Sequence, residues 1–185
     1  MSRRKLISDD AALAAAMRVM SSLGPDAYTL ADVAHEAGVA PATLVQRFGA
    51  KDRLEVLALA RDNEAFAATL ARLPMGRSAA GAIAVFLVLT GDAPDPRAVA
   101  DQLLWLRLDM RNPELSVLAR ARSQLLRDAV AARLPPLAMS AELAARLAEA
   151  QWQGALIQWG VEQQGTLADY VAESLAAWFS LVNRN

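Results

Sequence analysis

Residues 28–54 read YTLADVAHEAGVAPATLVQRFGAKDRL, and this stretch decides the fold. Thr29, with Asp32 three residues later, forms a capping-box-like helix start, and small apolar residues follow at helical spacing. Gly38 suits the left-handed position after a helix, and Pro41 suits the first turn of the next helix. The stretch therefore predicts two short helices joined by a tight turn.

The second helix of this pair has an inward and an outward face. Leu44 and Phe48, four residues apart, are expected to turn toward the core. The outward face is small, polar and basic, and it consists of Ala42, Thr43, Gln46 and Arg47. A helix-turn-helix presents a face of this kind to the major groove of DNA.

The order of residues is more specific than the helical pattern. The chain closely resembles the N-terminal domain of TetR-family transcriptional regulators in the runs TLADVA (29–34), AGV (37–39), TL (43–44) and FGAK (48–51), with Leu54. The resemblance extends over about residues 8–58. It implies an all-α, nine-helix architecture with a three-helix DNA-binding domain and a C-terminal domain that binds an effector and dimerises.

The resemblance also implies a set of DNA-contacting residues: Thr29, Pro41, Ala42, Thr43, Val45, Gln46, Arg47 and Lys51. Many family members carry an aromatic residue, usually tyrosine, at the position of Val45, and that residue typically touches a phosphate. One backbone contact is therefore missing here, or is replaced by Gln46 or Arg47. Lys51 is expected to contact a phosphate near the start of the fourth helix, the alternative being a surface lysine beside Asp52.

Composition limits the fold and the class of protein. The chain has 185 residues, of which 55% are hydrophobic, and alanine and leucine, both strong helix formers, dominate. Long alternating β-branched runs are absent, which favours an all-α fold. There are no cysteines, which excludes disulfides and thiolate metal sites and fits a cytoplasmic location. The most apolar segment, residues 81–91, is shorter than the roughly 20 residues that span a bilayer, so no membrane partner is expected.

Charge is balanced overall but unevenly distributed. The formal net charge is −1, and residues 1–60 contain seven basic and seven acidic residues. Three of the basic residues belong to an N-terminal arm at residues 1–7, which either follows the DNA or is a solvated tail. The local basic face matters more for phosphate attraction than the total, and the balance predicts modest nonspecific affinity.

Capping and breaking residues divide the chain. They predict helices at about 8–23, 29–37, 41–48, 51–72, 78–91, 97–111, 113–134, 140–164 and 166–182, with a loop at 92–96. We expect a DNA-binding domain at residues 1–58 and an effector-binding and dimerisation domain at residues 59–185.

The second domain carries two candidate sites. An effector pocket is implied for an apolar or aromatic small molecule, although each lining residue is more often ordinary core: Phe86, Leu104, Trp105, Leu108, Met110, Trp152 and Leu156. A homodimer through the last two helices is implied, with the interface residues Gly154, Ile157, Val161, Tyr170, Ser174 and Trp178. Such a dimer sets two reading helices about 34–36 Å apart and suits a near-palindromic double-stranded operator.

Three functions follow for comparison. The first is a ligand-responsive transcriptional regulator, either a repressor released from its operator by a small molecule or an activator. The second is an all-helical enzyme, but His35 is the only histidine, and Glu142 and Glu149 have no evident partner, so no catalytic residue, metal site or cofactor is predicted. The third is a small-molecule carrier or interaction module with a weakened DNA-binding head, favoured by Val45 and by the neutral head.

Overall fold

The computed structural model describes residues 7–24, 26–90 and 96–183. Within these ranges the chain forms nine α-helices and no strand: α1 Asp9–Leu23, α2 Leu30–Ala37, α3 Pro41–Phe48, α4 Lys51–Arg72, α5 Ala79–Thr90, α6 Pro96–Arg111, α7 Pro113–Ala131, α8 Ala141–Glu162 and α9 Leu167–Val182. The all-α prediction is confirmed. Residues 1–6 of the predicted arm and residues 92–95 of the predicted loop lie outside the described residues.

Local capping signals account for several helix ends. The Thr29 side chain accepts a hydrogen bond from the Asp32 N–H, and the Asp32 carboxylate accepts one from the Thr29 N–H at 2.7 Å, which completes a capping box on α2. Gly38 ends α2 in the left-handed conformation, with φ 67° and ψ 31°. Single hydroxyl groups cap α1, α8 and α9, and they belong to Ser8, Ser140 and Thr166.

The chain divides into two compact units. The first comprises residues 1–66 and 103–120, and the second comprises residues 67–102 and 121–185. The predicted boundary after residue 58 falls inside α4, and as a functional boundary it stays a prediction.

The first unit packs α1, α2 and α3 around one apolar core. Met20, Val33, Leu44 and Leu54 are almost completely buried in it. Trp105, from the α6 segment of this unit, packs against the same core. This core holds the helix-turn-helix as a rigid platform, because close-packed interiors resist displacement of their members.

The second unit packs α9 against both α5 and α8. Its largest fully buried side chains include Phe86, Leu175 and Phe179. Gly160 on α8 lies against Val99, and a Cβ atom added there would stand 3.1 Å from the Val99 Cγ1 atom. The absence of a side chain at Gly160 therefore permits the close approach.

A buried arginine joins two helix ends in the second unit. Arg133 is 3% exposed, and its guanidinium donates to the carbonyl oxygens of Leu73 and Pro74 at 2.9 Å and of Ala129 at 2.9 Å. Helix α7 ends at Ala131, whereas the apolar pattern predicted an end near residue 134. The chain leaves the helix here, and Arg133 hydrogen-bonds the carbonyls that follow α4.

A second buried charge corrects an expectation about Glu149. This side chain is 4% exposed and accepts a hydrogen bond from Arg127 Nε at 2.5 Å. The prediction that Glu149 has no partner is wrong. The pair joins α7 to α8 and is a structural ion pair of the second unit.

Candidate nucleic-acid interface

Helix α3 has one buried face and one exposed face. Leu44 and Phe48 are 1% and 7% exposed, whereas Val45 is 51% exposed. The other exposed positions are Pro41, Ala42 and Gln46, and Thr43 is half-buried. The buried pair anchors the helix, so the exposed side chains project from a fixed support.

The start of α3 is also open to solvent-borne anions. Ala40 occupies the N-cap position and Pro41 follows it, so the first turn of α3, which lies wholly within the described residues, has no side-chain cap. Thr29, also predicted to contact DNA, is engaged instead in the capping box of α2 and remains exposed. Pro41 has no N–H, and the Thr43 N–H donates to the Ala40 carbonyl at 2.9 Å. The attraction for phosphate at this helix start therefore depends on the Ala42 N–H and the helix dipole.

Arg47 differs from the expectation of an outward-facing side chain. Its Nη1 donates to the carbonyl oxygen of Ile7 at 2.9 Å, and its Nη2 pairs with the carboxylate of Asp9. Its guanidinium also lies 5.3 Å from the centroid of the Phe48 ring. The residue therefore ties the end of α3 to the start of α1, and its predicted DNA contact requires that this pairing change.

Lys51 belongs to a small polar cluster that was not predicted. Its Nζ donates to the Tyr28 carbonyl at 3.0 Å, lies 3.9 Å from the centroid of the Tyr28 ring, and pairs with Glu55 at 3.8 Å. The Tyr28 hydroxyl donates to Glu55 Oε1 at 2.5 Å. Burial, and then the hydrogen bond to Glu55, raise the pKa of Tyr28, so the phenol stays a proton donor. The sequence offered one signal for this cluster: Glu55 directly follows the apolar Leu54, on the side of α4 that faces the core.

The remaining basic residues of this segment are paired in the same way. Arg18 meets Glu36 at 2.7 Å, Arg61 meets Asp10 at 2.5 Å and Arg53 meets Glu114 at 3.6 Å. The hydrogen bond from Arg61 lowers the pKa of Asp10. Every lysine and arginine within the described part of residues 7–66 thus has a carboxylate partner.

This helix-turn-helix corresponds to a known family. Residues 12–55 match the family described as bacterial regulatory proteins of the tetR family, and this range contains most of α1, all of α2 and the whole of α3. Residues 12–55 are therefore similar to the regulatory proteins of the tetR family. The resemblance found in the sequence is confirmed over residues 12–55.

Solved structures extend the likeness beyond residues 12–55. A transcriptional regulator from Rhodococcus sp. Rha1 is similar over 96% of this chain and 97% of its own, with 20% identity and a TM-score of 0.79. A TetR-family member from Streptomyces coelicolor A3 is similar over 92% and 98%, with 23% identity and a TM-score of 0.67. Salmonella enterica GusR is similar over 90% and 92%, with 18% identity and a TM-score of 0.62. At these identities the likeness establishes the fold, and no curated protein matches the sequence.

The TetR-family dimerisation prediction concerns α8 and α9. An apolar stripe lies exposed along α8, and its large members are Leu143, Leu147, Ile157 and Val161, which are 36%, 40%, 44% and 81% exposed. Gly154 lies on the same stripe, and an added Cβ would meet nothing within 4 Å.

The three candidates on α9 are half-buried. Ser174 accepts a hydrogen bond from Gln151, Tyr170 donates one to Glu162, and the Trp178 ring packs edge-on against Phe179. The predicted interface role of both helices stays a prediction.

The seven candidate effector residues fall into two groups. Phe86, Trp152 and Leu156 belong to the second unit, and the rings of Phe86 and Trp152 lie 5.6 Å apart. Leu104, Trp105, Leu108 and Met110 belong to the first unit. Met110 is 74% exposed and Trp105 packs against the core of the first unit, and the effector-pocket role of all seven residues stays a prediction.

A cavity of about 270 Å³ lies elsewhere in the second unit. Its lining consists of Arg77, Ala131, Leu134, Pro135, Pro136, Leu137, Met139 and Ala141. None of the predicted effector residues is among them.

Two further expectations concern membranes and metals. Among the described residues, none of the helices combines the length and apolar character needed to cross a membrane. The same residues contain no group of three or more acidic or histidine side chains placed to hold a metal ion.

Proposed function

We propose that this TetR-family protein is a ligand-responsive repressor. It binds a near-palindromic operator as a homodimer and is released by a small apolar or aromatic molecule. The observation that carries the proposal is the exposed face of α3 on a platform anchored by Leu44 and Phe48.

The exposed face of α3 suits a direct contact with base edges. The Gln46 side chain is exposed, and an amide of this type can form two hydrogen bonds with adenine in the major groove. The small side chain of Ala42 permits close approach to the DNA, and the uncapped start of α3 favours a phosphate beside Pro41. Phosphate contacts then set the position of the helix, and Gln46 contributes to sequence recognition.

The stripe on α8 supports the dimer step. Large apolar side chains that line one face of a helix mark an interaction surface, because contiguous exposed apolar area is costly in water. Polar residues flank the stripe at Arg146 and Gln158, as at the rim of an interface. A two-fold dimer through this face provides two copies of α3, one for each half of a near-palindromic operator.

The aromatic cluster of the second unit supports the effector step. Phe86 is fully buried beside Trp152, and the Trp152 Nε1–H donates to the Thr90 hydroxyl at 3.3 Å. A flat apolar molecule with one hydrogen-bonding group could replace these contacts. Binding of this molecule releases DNA if it favours a conformation in which the two copies of α3 in the dimer have a different separation.

A second candidate function has a specific observation in its favour. The paired state of the five cations within residues 7–66, together with Val45 at the position of the usual aromatic residue, fits a small-molecule carrier whose DNA-binding head is weakened. The two functions differ in whether specific DNA is bound.

A fluorescence-anisotropy titration separates the two functions. The purified full-length protein is titrated onto labelled DNA from immediately upstream of its own gene, with scrambled DNA of equal length as competitor. We expect salt-sensitive binding that scrambled DNA does not displace. Weak binding that is equal for both DNAs, repeated across a library of random duplexes, would instead support the carrier. Aromatic compounds that release the bound DNA would establish the repressor.

A further inference from the structure

We infer that Asp9 sets the DNA affinity of this regulator by competing with a DNA phosphate for the guanidinium of Arg47. The inference rests on the proposed contact of α3 with DNA and assigns an affinity-determining role to a residue at the start of α1.

The geometry places the competing carboxylate beside the reading helix. Arg47 follows Gln46 directly on α3, and its two terminal nitrogens hold the Ile7 carbonyl and the Asp9 carboxylate. The Arg47 side chain is 23% exposed and that of Asp9 is 71% exposed. The guanidinium thus lies at the edge of the proposed interface, and its acidic partner is open to water.

The pair is of a kind that a phosphate can replace. Ion pairs that water reaches contribute little to stability, because solvent screens the attraction. A guanidinium offers a planar fork that matches a phosphate with two parallel hydrogen bonds. Asp9 keeps a favourable position without Arg47, because it lies in the first turn of α1 near the positive end of the helix dipole. Both partners therefore have a stable alternative when they separate.

The charge of the head explains why the exchange affects affinity. Residues 7–66 contain five basic and nine acidic residues, a formal charge of −4. Each of the five cations is held by a carboxylate. Within these residues, a cation that turns from its carboxylate to a phosphate adds attraction for DNA. Arg47 is the one of these five cations that belongs to α3 itself.

The test compares two substitutions that remove the same charge. Asp9→Asn removes the competitor, and Asp26→Asn removes an exposed turn carboxylate for which no ion pair is found among the described residues. The probe is a labelled 30-base-pair duplex of random sequence, because a phosphate contact does not depend on sequence. We expect Asp9→Asn to tighten binding roughly two- to fivefold more than Asp26→Asn, the equivalent of one exposed ion pair. The slope of log K against log salt should steepen by up to about 0.9.

A double-mutant cycle ties the effect to Arg47. In an Arg47→Ala background, Asp9→Asn should have the same effect as Asp26→Asn. Thermal unfolding of each variant checks that the fold is kept, and Asp9→Ser serves as a second variant if Asp9→Asn unfolds. Equal effects of Asp9→Asn and Asp26→Asn in the wild-type background, or weaker binding by Asp9→Asn, would overturn the inference. Wild-type protein that binds no DNA would instead overturn the proposed function.

Discussion

Helices α3 and α8 each have one face that the described residues leave uncovered, and the two faces differ in chemistry. The face of α3 is short and carries Ala42, Val45 and Gln46, whereas the face of α8 is long and carries large apolar side chains from Leu143 to Val161. A short face of small side chains with one exposed amide, on a firm support, fits a groove with hydrogen-bonding edges. A long apolar face fits a second apolar face.

The comparison shows how one fold separates two kinds of binding. Both helices bury one side in the same manner, and their partners are distinguished only by the residues on the other side. Polar groups give up water for specific hydrogen bonds, whereas apolar groups gain by leaving water altogether. The predictions below test each face in turn.

The largest expected effect comes from charging the stripe on α8. Ile157→Glu combined with Val161→Glu places two carboxylates where the proposed dimer is apolar, and burying them unpaired is costly. We expect monomers in light scattering at micromolar protein. Operator affinity should fall by about a hundredfold or more, because two linked half-sites gain roughly 10²–10⁴ over one.

Gln158→Glu is the control for this double variant. Gln158 is exposed on the flank of the same helix and gains a charge without removing an apolar side chain. This variant should stay dimeric. A dimeric Ile157→Glu/Val161→Glu protein would show that the face of α8 is not the interface, and the contrast with α3 would lose its basis.

A smaller effect is expected from the polar face of α3. Gln46→Ala removes the amide proposed to read a base, and the cost of losing such a contact is about 1–3 kcal/mol. Anisotropy should show weaker binding to the operator and little change on scrambled DNA. Gln158→Ala, a matched change on α8, should alter neither. A uniform loss on both DNAs would assign Gln46 to the backbone instead.

The smallest effect concerns two helix caps, the capping box of α2, which precedes α3 in the helix-turn-helix, and the cap of α8. The hydrogen bonds from Thr29 lower the pKa of Asp32 below its ordinary 3.8, so the ionised carboxylate favours the folded state. This contribution is complete above about pH 5 and is lost as pH falls through the lowered pKa. The cap of α8 is the hydroxyl of Ser140, which does not titrate in this range.

Melting temperatures of wild type and Asp32→Asn, measured from pH 7 to pH 2.5, test this difference. The wild type should be the more stable at pH 7, and the gap should close below pH 3.8. Ser140→Ala should lower stability by an amount that does not vary with pH. If the difference in melting temperature between wild type and Asp32→Asn did not change with pH, ionisation of the Asp32 carboxylate would contribute nothing to stability.

Much of the fold was predictable from the sequence because helix starts and ends depend on neighbours. Thr29 with Asp32, Gly38, and Pro41 each act within one turn, so their spacing alone predicts α2 and α3. The helix-turn-helix and the exposure of Gln46 followed from the same periodicity. The end of α7 was not predictable, because Leu134 continues the apolar pattern while Arg133 bonds to carbonyls about 60 residues away in the chain.

The electrostatics of the head needed the tertiary structure. Arg47 pairs with Asp9 across 38 positions, and Tyr28 pairs with Glu55 across 27. No periodic pattern relates residues at such separations, so the sequence showed only balanced charge. Which cation meets which carboxylate depends on how α1, α3 and α4 pack together.

By itself the sequence determined the helical elements and the helix-turn-helix, because capping, turn geometry and amphipathic spacing are local properties, and its residue order carried the resemblance to the tetR family. For the described residues, only the tertiary structure decided that the five basic residues between positions 7 and 66 are held by carboxylates, that Glu149 is buried with Arg127, and that one face of α8 stays uncovered. Those features arise from the packing of distant segments, and that packing decides which side chains remain available for DNA or for a second copy.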